Sequence, residues 1–281
     1  MIAHRAPIGD MSRRWGEIRT MMLGLEGLNA VVTGGASGIG RACVDGLRAA
    51  GARVAVLDRD VARLASFEAD ADVLALACDV CDEAAVARAI ETVEADLGPI
   101  GVLVAAAGVL DPPRPPERLT QAAWDRVFAV NCDGVRIVCR QVGPRMAARG
   151  RGSIVTVASI AGLEPGPLSA YGPSKAAMIA LTRSFAGHWG RRGVRVNAVA
   201  PGYVRTPALD PALSLGVVDG GTLARGTALG RLAEAQEVAC AVLFLASDAA
   251  SAITGVVLPV DAGAMLAAGW VPHGGFPGEP A

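Results

Sequence analysis

Aromatic residues make up only 4% of this 281-residue chain, and histidine occurs three times and tyrosine twice. His4, His188 and His273 are too few and too scattered for a histidine-built metal centre, and none lies at HExxH spacing. Cysteine is also sparse: Cys43, Cys78, Cys81, Cys132, Cys139 and Cys240 are spread over a long chain, whereas disulfide frameworks belong to short secreted domains. Reduced thiols in the cytoplasm are the expectation. Cys78 and Cys81 have CxxC spacing but no second pair accompanies them, so no zinc or other metal is expected. Charge of one sign is missing as well. With 26 Lys plus Arg against 27 Asp plus Glu the net charge is −1, which gives no field to attract nucleic acid or anionic lipid. No long hydrophobic run exists either: the longest, Ile100 to Leu110, falls well short of the roughly 18 residues that a membrane helix needs. It reads as a buried strand. Ser12-Arg13-Arg14 has no apolar segment behind it, because Glu17, Arg19 and Glu26 interrupt, so export is not expected.

What is present is apolar and patterned. Hydrophobic residues reach 52% and the mean hydropathy is +0.40, which excludes wholesale disorder. From Leu28 onward short apolar runs alternate with segments of helical period, the signature of βαβ units around a parallel sheet. Candidate strands are Ala30 to Thr33, Val54 to Leu57, Val73 to Ala77, Val102 to Ala106, Ile154 to Val157, Val194 to Val199 and Val256 to Val260. Helices are expected near 39–50, 60–68, 83–97, 121–148, 171–189 and 234–246. The expected fold is α/β: one doubly wound, Rossmann-type domain over 27–265, with a seven-stranded parallel sheet flanked by helices. Residues 1–26 form an N-terminal extension outside the core, 207–230 a long connection that can serve as a substrate lid, and 266–281 a tail.

Two constellations carry chemistry. The first strand runs into Thr33-Gly34-Gly35-Ala36-Ser37-Gly38-Ile39-Gly40, which should open a helix. Glycines there allow positive φ and close backbone approach, and free amides at a helix N-terminus attract a pyrophosphate. A plain tight turn is the competing reading, since the chain has 35 glycines. The second strand ends in Asp58, placed where a carboxylate can hold an adenosine ribose diol and repel a 2′-phosphate. That favours NAD(H) over NADP(H), while Arg59 beside it keeps NADP open, and a solvated strand end is the bland alternative. The second constellation is Tyr171-Gly172-Pro173-Ser174-Lys175, with Ser159 just beyond the fifth strand. On a helix, positions i and i+4 share a face, so Tyr171 and Lys175 become neighbours, unless the lysine merely snorkels over an amphipathic tyrosine. A tyrosine of ordinary pKa about 10 would need cationic neighbours, Lys175 and an oxidised nicotinamide, to approach neutrality.

Taken in order, TGxxxGxG, Asp, Asp-Val, Ser, YxxxK and Pro-Gly resemble the short-chain dehydrogenase/reductase family over residues 27–265. The resemblance implies Tyr171 as general acid/base, Lys175 holding the nicotinamide ribose and depressing the tyrosine pKa, and Ser159 orienting the reacting oxygen. It implies that Asn131 supports a proton relay through water. It also implies cofactor contacts from Gly34, Ser37, Gly38, Ile39, Gly40, Asp58 and Arg59, from Asp79-Val80 at the adenine, from the backbone of Ala106 and Gly108, and from Pro201, Gly202, Val204 and Thr206 along the nicotinamide. A homotetramer or homodimer follows from the same resemblance, through the helices near 121–148 and 171–189. Three departures stand out. Ala105-Ala106-Ala107-Gly108 replaces an Asn-Asn-Ala-Gly that normally ties the central sheet; the interval from Ser159 to Tyr171 is one residue short; and Ala262 stands where a second glycine is usual.

The expected function is hydride transfer between NAD(H) and a secondary alcohol or ketone, a small-molecule substrate with a largely apolar body given Leu209, Leu213, Leu215, Val217, Val218 and Leu223 in the lid. Sugars and polyols stay open. The alternatives are an NADPH-dependent reductase of ketoacyl-carrier or natural-product type, and an NAD(H)-binding protein without turnover. A serine hydrolase fails because the sequence around Ser37 misses the GxSxG elbow at its last position.

Overall fold

The structure is a computed structural model and describes residues 24–67, 72–111, 113, 115–207, 209 and 219–277. Seven strands form one parallel sheet: β1 (Asn29–Thr33), β2 (Arg53–Asp58), β3 (Val73–Ala77), β4 (Ile100–Ala105), β5 (Gly152–Val157), β6 (Val194–Pro201) and, last in the chain, β9 (Val257–Val260). Their order is β3-β2-β1-β4-β5-β6-β9. A minor pair, β7 (Val204–Arg205) with β8 (Ala233–Glu234), closes the base of the connection that was read as a lid. The helices are α1 (Gly38–Ala49), α2 (Val61–Leu64), α3 (Glu83–Asp96), α4 (Gln121–Phe128), α5 (Val135–Ala148), α6 (Tyr171–Trp189), α7 (Gly220–Arg225), α8 (Ala235–Ala246) and α9 (Ala267–Trp270).

Strand alternation sorts the core into two layers. In β1, Ala30 and Val32 face the layer of α1 and α8, with Val44, Leu47, Val238 and Leu243, while Val31 faces the layer of α3, α5 and α6, with Ile90, Val138 and Met178. Burial on both faces is why these strands read as continuous apolar runs. The order reverses between β1 and β4, and such a switch point leaves a crevice at the carboxyl ends of the strands where ligands bind.

Three expectations need correction. Leu25 is fully buried in the α1 layer, so the core starts before the boundary expected at residue 27. The single helix expected over 121–148 is α4 and α5 joined by a π-helical segment, Ala129–Gly134. A Cβ on Gly134 would stand 2.6 Å from a Val80 methyl, and the wider turn occurs where the chain passes this tight contact. The connection over 207–230 is partly helical, with Asp219 capping α7 through the amides of Gly221 and Thr222 at 3.0 Å. Most of the N-terminal extension, the lid residues Asp210, Leu213, Leu215, Val217 and Val218, and the end of the tail lie outside the described residues. Trp270 and Phe276 in the tail face each other, with ring centroids 5.9 Å apart. No helix among the described residues is long and apolar enough to cross a membrane, and all six cysteines are free thiols.

Candidate active site

The turn after β1 is shaped by the absence of side chains. Gly34 has φ +66°, and a Cβ there would stand 2.7 Å from the Ala107 Cα; a Cβ on Gly40 would overlap the Gly34 carbonyl oxygen. The turn thus folds tightly back on itself and opens α1 at Gly38, with Ser37 as an N-cap whose side chain makes no capping bond. No acidic residue sits in the first turn of α1 to compete for an anion, and Ile39 and Gly40 follow within it. At the rim, Asp58 accepts from Ala36 N–H at 3.1 Å through Oδ2 and from Asp60 N–H at 3.0 Å through Oδ1. Its carboxylate is therefore fixed in orientation beside the turn, and Arg59 next to it is exposed. A dinucleotide fits this cradle: amides and a helix N-terminus for the phosphates, an oriented carboxylate for a ribose diol.

The flanks of the cleft are less uniform. Asp79 folds back to accept from Cys81 N–H at 2.9 Å, whereas the Val80 side chain is buried in the core. Burial first, and then the Asp79 carboxylate, push the thiols of Cys78 and Cys81 up to about 11, so neither is a ready thiolate near neutrality. Beyond β6, Pro201 ends the strand and Gly202 is required by packing, since a Cβ there would meet Asp261 at 2.7 Å. Val204 belongs to the core, while Thr206 lies across from Gly38, its methyl 3.6 Å from where a Cβ on that glycine would stand. The departure at Ala105-Ala106-Ala107 leaves the central sheet tied through the backbone: Ala106 N–H donates to the Thr33 carbonyl at 3.2 Å, and Ala107 N–H to the Thr33 hydroxyl at 3.3 Å.

The other side of the crevice is polar and buried. Ser159, 8% exposed, follows β5; Tyr171 opens α6, half-buried; Lys175, 3% exposed, sits one turn on with its Nζ 5.5 Å from the centroid of the Tyr171 ring. Ser159 lies near enough to the Tyr171 phenol to act on its pKa, and its Oγ accepts from Ala161 N–H at 3.1 Å. Gly108 faces this group, its α-carbon turned so that a Cβ would lie 3.5 Å from Lys175 Nζ. The structure thus brings Ser159, Tyr171, Lys175 and Gly108 together.

Burial and hydrogen bonding set the state of three of these side chains in the protein without cofactor. Burial raises the Tyr171 phenol above its ordinary pKa, and Ser159 beside it pulls it only part of the way back. Lys175 does not draw it down here, because its own burial lowers its pKa to about 7 and its Nζ donates to the Val157 carbonyl at 2.7 Å. Asn131, fully buried in the π-helical segment, spends its side chain on scaffolding. Its Oδ1 accepts from Val109 N–H at 2.8 Å, and its Nδ2 donates to the Val109 carbonyl at 2.9 Å and to Ser174 Oγ at 3.0 Å.

Sequence reasoning missed two participants. Ser174 lies inside the Tyr-to-Lys motif but drew no role, although its fixed place between the two was signal enough to ask. Asp111 sits in a proline-rich loop and carries no local signal, yet it reaches the first residue of α6. His188, by contrast, is exposed at the far end of α6, in keeping with a surface role.

A family profile described as enoyl-(acyl carrier protein) reductase matches residues 34–265. Cis-4-hydroxycyclohexanecarboxylate dehydrogenase of Sinomonas cyclohexanicum is 42% identical over 240 residues, covering 83% of this chain and 95% of that protein. Galactitol 2-dehydrogenase of Rhizobium johnstonii (strain DSM 114642 / LMG 32736 / 3841) is 42% identical over 253 residues, covering 85% and 95%. Among solved structures, a Brucella melitensis 16M protein described as ribose-5-phosphate isomerase superposes with a TM-score of 0.86 at 46% identity, covering 89% of this chain and 96% of that one.

Proposed function

The chain belongs to the short-chain dehydrogenase/reductase family and is an oxidoreductase of nicotinamide type, and from that premise we propose that it interconverts a secondary alcohol and its ketone with NAD(H), Tyr171 carrying the proton. The observation that carries the reading is the convergence of Ser159, Tyr171 and Lys175 at the switch point, opposite a glycine-rich turn. In the oxidising direction the Tyr171 oxygen takes the proton of the alcohol, and the Ser159 hydroxyl, beside that phenol, orients the reacting oxygen. A bound nicotinamide would supply the hydride acceptor for alcohol oxidation, or the hydride donor for ketone reduction. Lys175 would hold the ribose next to it, and gaining those hydroxyl acceptors would favour its charged form, which in turn would lower the phenol pKa. Gly34, Ser37, Gly38, Ile39 and Gly40 would receive the pyrophosphate, Thr206 would close over it, and the backbone of Ala106 and Gly108 would line the floor. The fixed carboxylate of Asp58 supports NAD over NADP, since a 2′-phosphate would meet its charge.

For the substrate, an alicyclic or aryl secondary alcohol with a largely apolar body accords with Leu209, Leu223 and Leu229 in the covering connection; the relatives named for a hydroxycyclohexane acid and for galactitol bracket the choice. Pairing of α5 and α6 with a second copy would give the dimer or tetramer. The decisive assay follows nicotinamide absorbance with NAD and NADP in parallel, over cyclic, aryl and polyol secondary alcohols and the matching ketones. Turnover with NAD on the cyclic set is expected. Polyols outperforming cyclic alcohols would remove the apolar substrate, a strong preference for NADPH with ketoacyl substrates would replace NAD oxidation by reduction, and tight NADH binding with no turnover would make the chain a binding protein. Cofactor-free conversion of ribose 5-phosphate would install the isomerase reading, which the glycine-rich cradle argues against.

A further inference from the structure

The helix that carries Tyr171 and Lys175 has no cap of its own, because the residue before it is Ala170. A helix leaves its first amides without intrahelical acceptors, and buried ones must be satisfied from elsewhere. In α6 the account closes in an unusual way. Gly172 N–H donates to the Leu168 carbonyl at 3.1 Å, Pro173 has no N–H, and Ser174 N–H begins the ladder on the Ala170 carbonyl at 3.0 Å. The one remaining amide is that of Tyr171 itself. It donates to Asp111 Oδ1 at 2.9 Å, and Ala170 N–H donates to Oδ2 at 3.3 Å.

Asp111 is 2% exposed, so it cannot be meeting substrate or solvent. A carboxylate is costly to bury without bonded donors, and among the described residues these two amides at the positive end of a helix are its donors. The loop that delivers it is tied residue by residue. Val109 is held at both N–H and carbonyl by Asn131, and Arg126 donates to the Leu110 carbonyl at 3.1 Å. On the other side of Tyr171, its carbonyl accepts from Ser174 Oγ at 2.7 Å, and that hydroxyl in turn accepts from Asn131. The backbone of the one residue whose hydroxyl must reach the substrate is gripped at its N–H by Asp111 and at its carbonyl by Ser174.

We propose that Asp111 is a positioning residue for the reaction: by supplying from a distant part of the chain the cap that Ala170 lacks, it sets the place of the Tyr171 backbone and so the reach of its hydroxyl. The inference rests on Tyr171 being the acid/base. Its effect falls on the chemical step, because small misplacements of a catalytic group cost up to about 10²-fold in rate.

Asp111→Ala and Asp111→Asn separate this role from a general structural one. Asparagine keeps an oxygen for Tyr171 N–H but turns an NH2 against the amide of Ala170, so kcat should fall in the order wild type, Asn, Ala, about fivefold and about thirtyfold below wild type. The dissociation constant for NADH and the substrate KM should each stay within about twofold, because Asp111 touches neither. Hydrogen exchange over the peptide 168–175 should quicken in both variants, a readout that needs no turnover and stands even if the proposed reaction is wrong. Should Asp111→Ala fail to fold, Asp111→Asn decides by the same measures. A kcat for Asp111→Asn equal to wild type, a loss that falls on KM or NADH affinity while kcat holds, or unchanged exchange at the start of α6 would overturn the proposal.

Discussion

At the end of β1 the chain makes room by leaving side chains out, whereas at the start of α6 it fills the space with polar groups that hold one another. The glycine-rich turn offers backbone amides and a helix terminus, with only Asp58 contributing a fixed charge. The polar corner is assembled from Ser159, Tyr171, Ser174 and Lys175, with Asn131 and Asp111 arriving from other parts of the chain. The contrast matches what the proposed function asks of each half. A dinucleotide phosphate is a large charged target that many amides can share, while a single proton must be met by one oxygen at one place. One half is therefore sensitive to added volume and the other to lost polar atoms.

Tyr171→Phe would break the corner most severely. Turnover of the best substrate should drop by about 10²–10⁴-fold, the usual worth of a positioned acid/base, with NADH affinity measured by fluorescence nearly unchanged. Gly40→Ala tests the opposite half: its Cβ would overlap the Gly34 carbonyl oxygen, so we expect a loss of stability of about 1–3 kcal/mol and a weakening of cofactor binding that outweighs any effect on kcat. If calorimetry found the variant as stable as wild type with NADH binding intact, the idea of a turn defined by missing volume would fail.

A subtler probe is the pH dependence of stability. Lys175 has its folded pKa lowered by burial to about 7, below its unfolded value, so between those two values the unfolded chain binds more protons and stability rises with pH. For the protein without cofactor this group contributes a slope of up to about 1 kcal/mol per pH unit above pH 7. Lys175→Met should flatten the curve by that amount in chemical denaturation at pH 7, 8 and 9; superimposable slopes would mean that the buried amine titrates normally. The smallest effect is expected outside both halves. Ala262, where the family resemblance leads one to expect glycine, holds φ +54°. Ala262→Gly should raise stability by about 1 kcal/mol by relieving that strain, with kcat untouched, and a fall in melting temperature would show that the alanine methyl is needed for packing.

Much of this molecule was legible before any coordinates. The runs Ala30 to Thr33 and Val54 to Leu57 are too apolar to be anything but strands buried on both faces, and the spacing of Tyr171 and Lys175 puts them on one helix face by geometry alone. The glycine turn was readable because φ +66° at Gly34 and the contact at Gly40 are demands that only glycine meets. What stayed hidden has one character. The Asp111 bond to Tyr171 spans 60 residues, the π-helical segment at Asn131 answers to a neighbour on another element, and Leu25 joins the core because of what it packs against.

The sequence by itself determined the layers, the strand count, the tight glycine turn and the shared helix face of Tyr171 and Lys175, because those follow from hydrophobic period and local backbone sterics. Only the tertiary structure decided their chemical state and exact placement: that Lys175 is desolvated and bonded to Val157, that the Tyr171 phenol is raised in the protein without cofactor, and that Asn131 is committed to Val109 and Ser174. Desolvation and long-range hydrogen bonds depend on which atoms are brought alongside, and no local pattern in the chain records that.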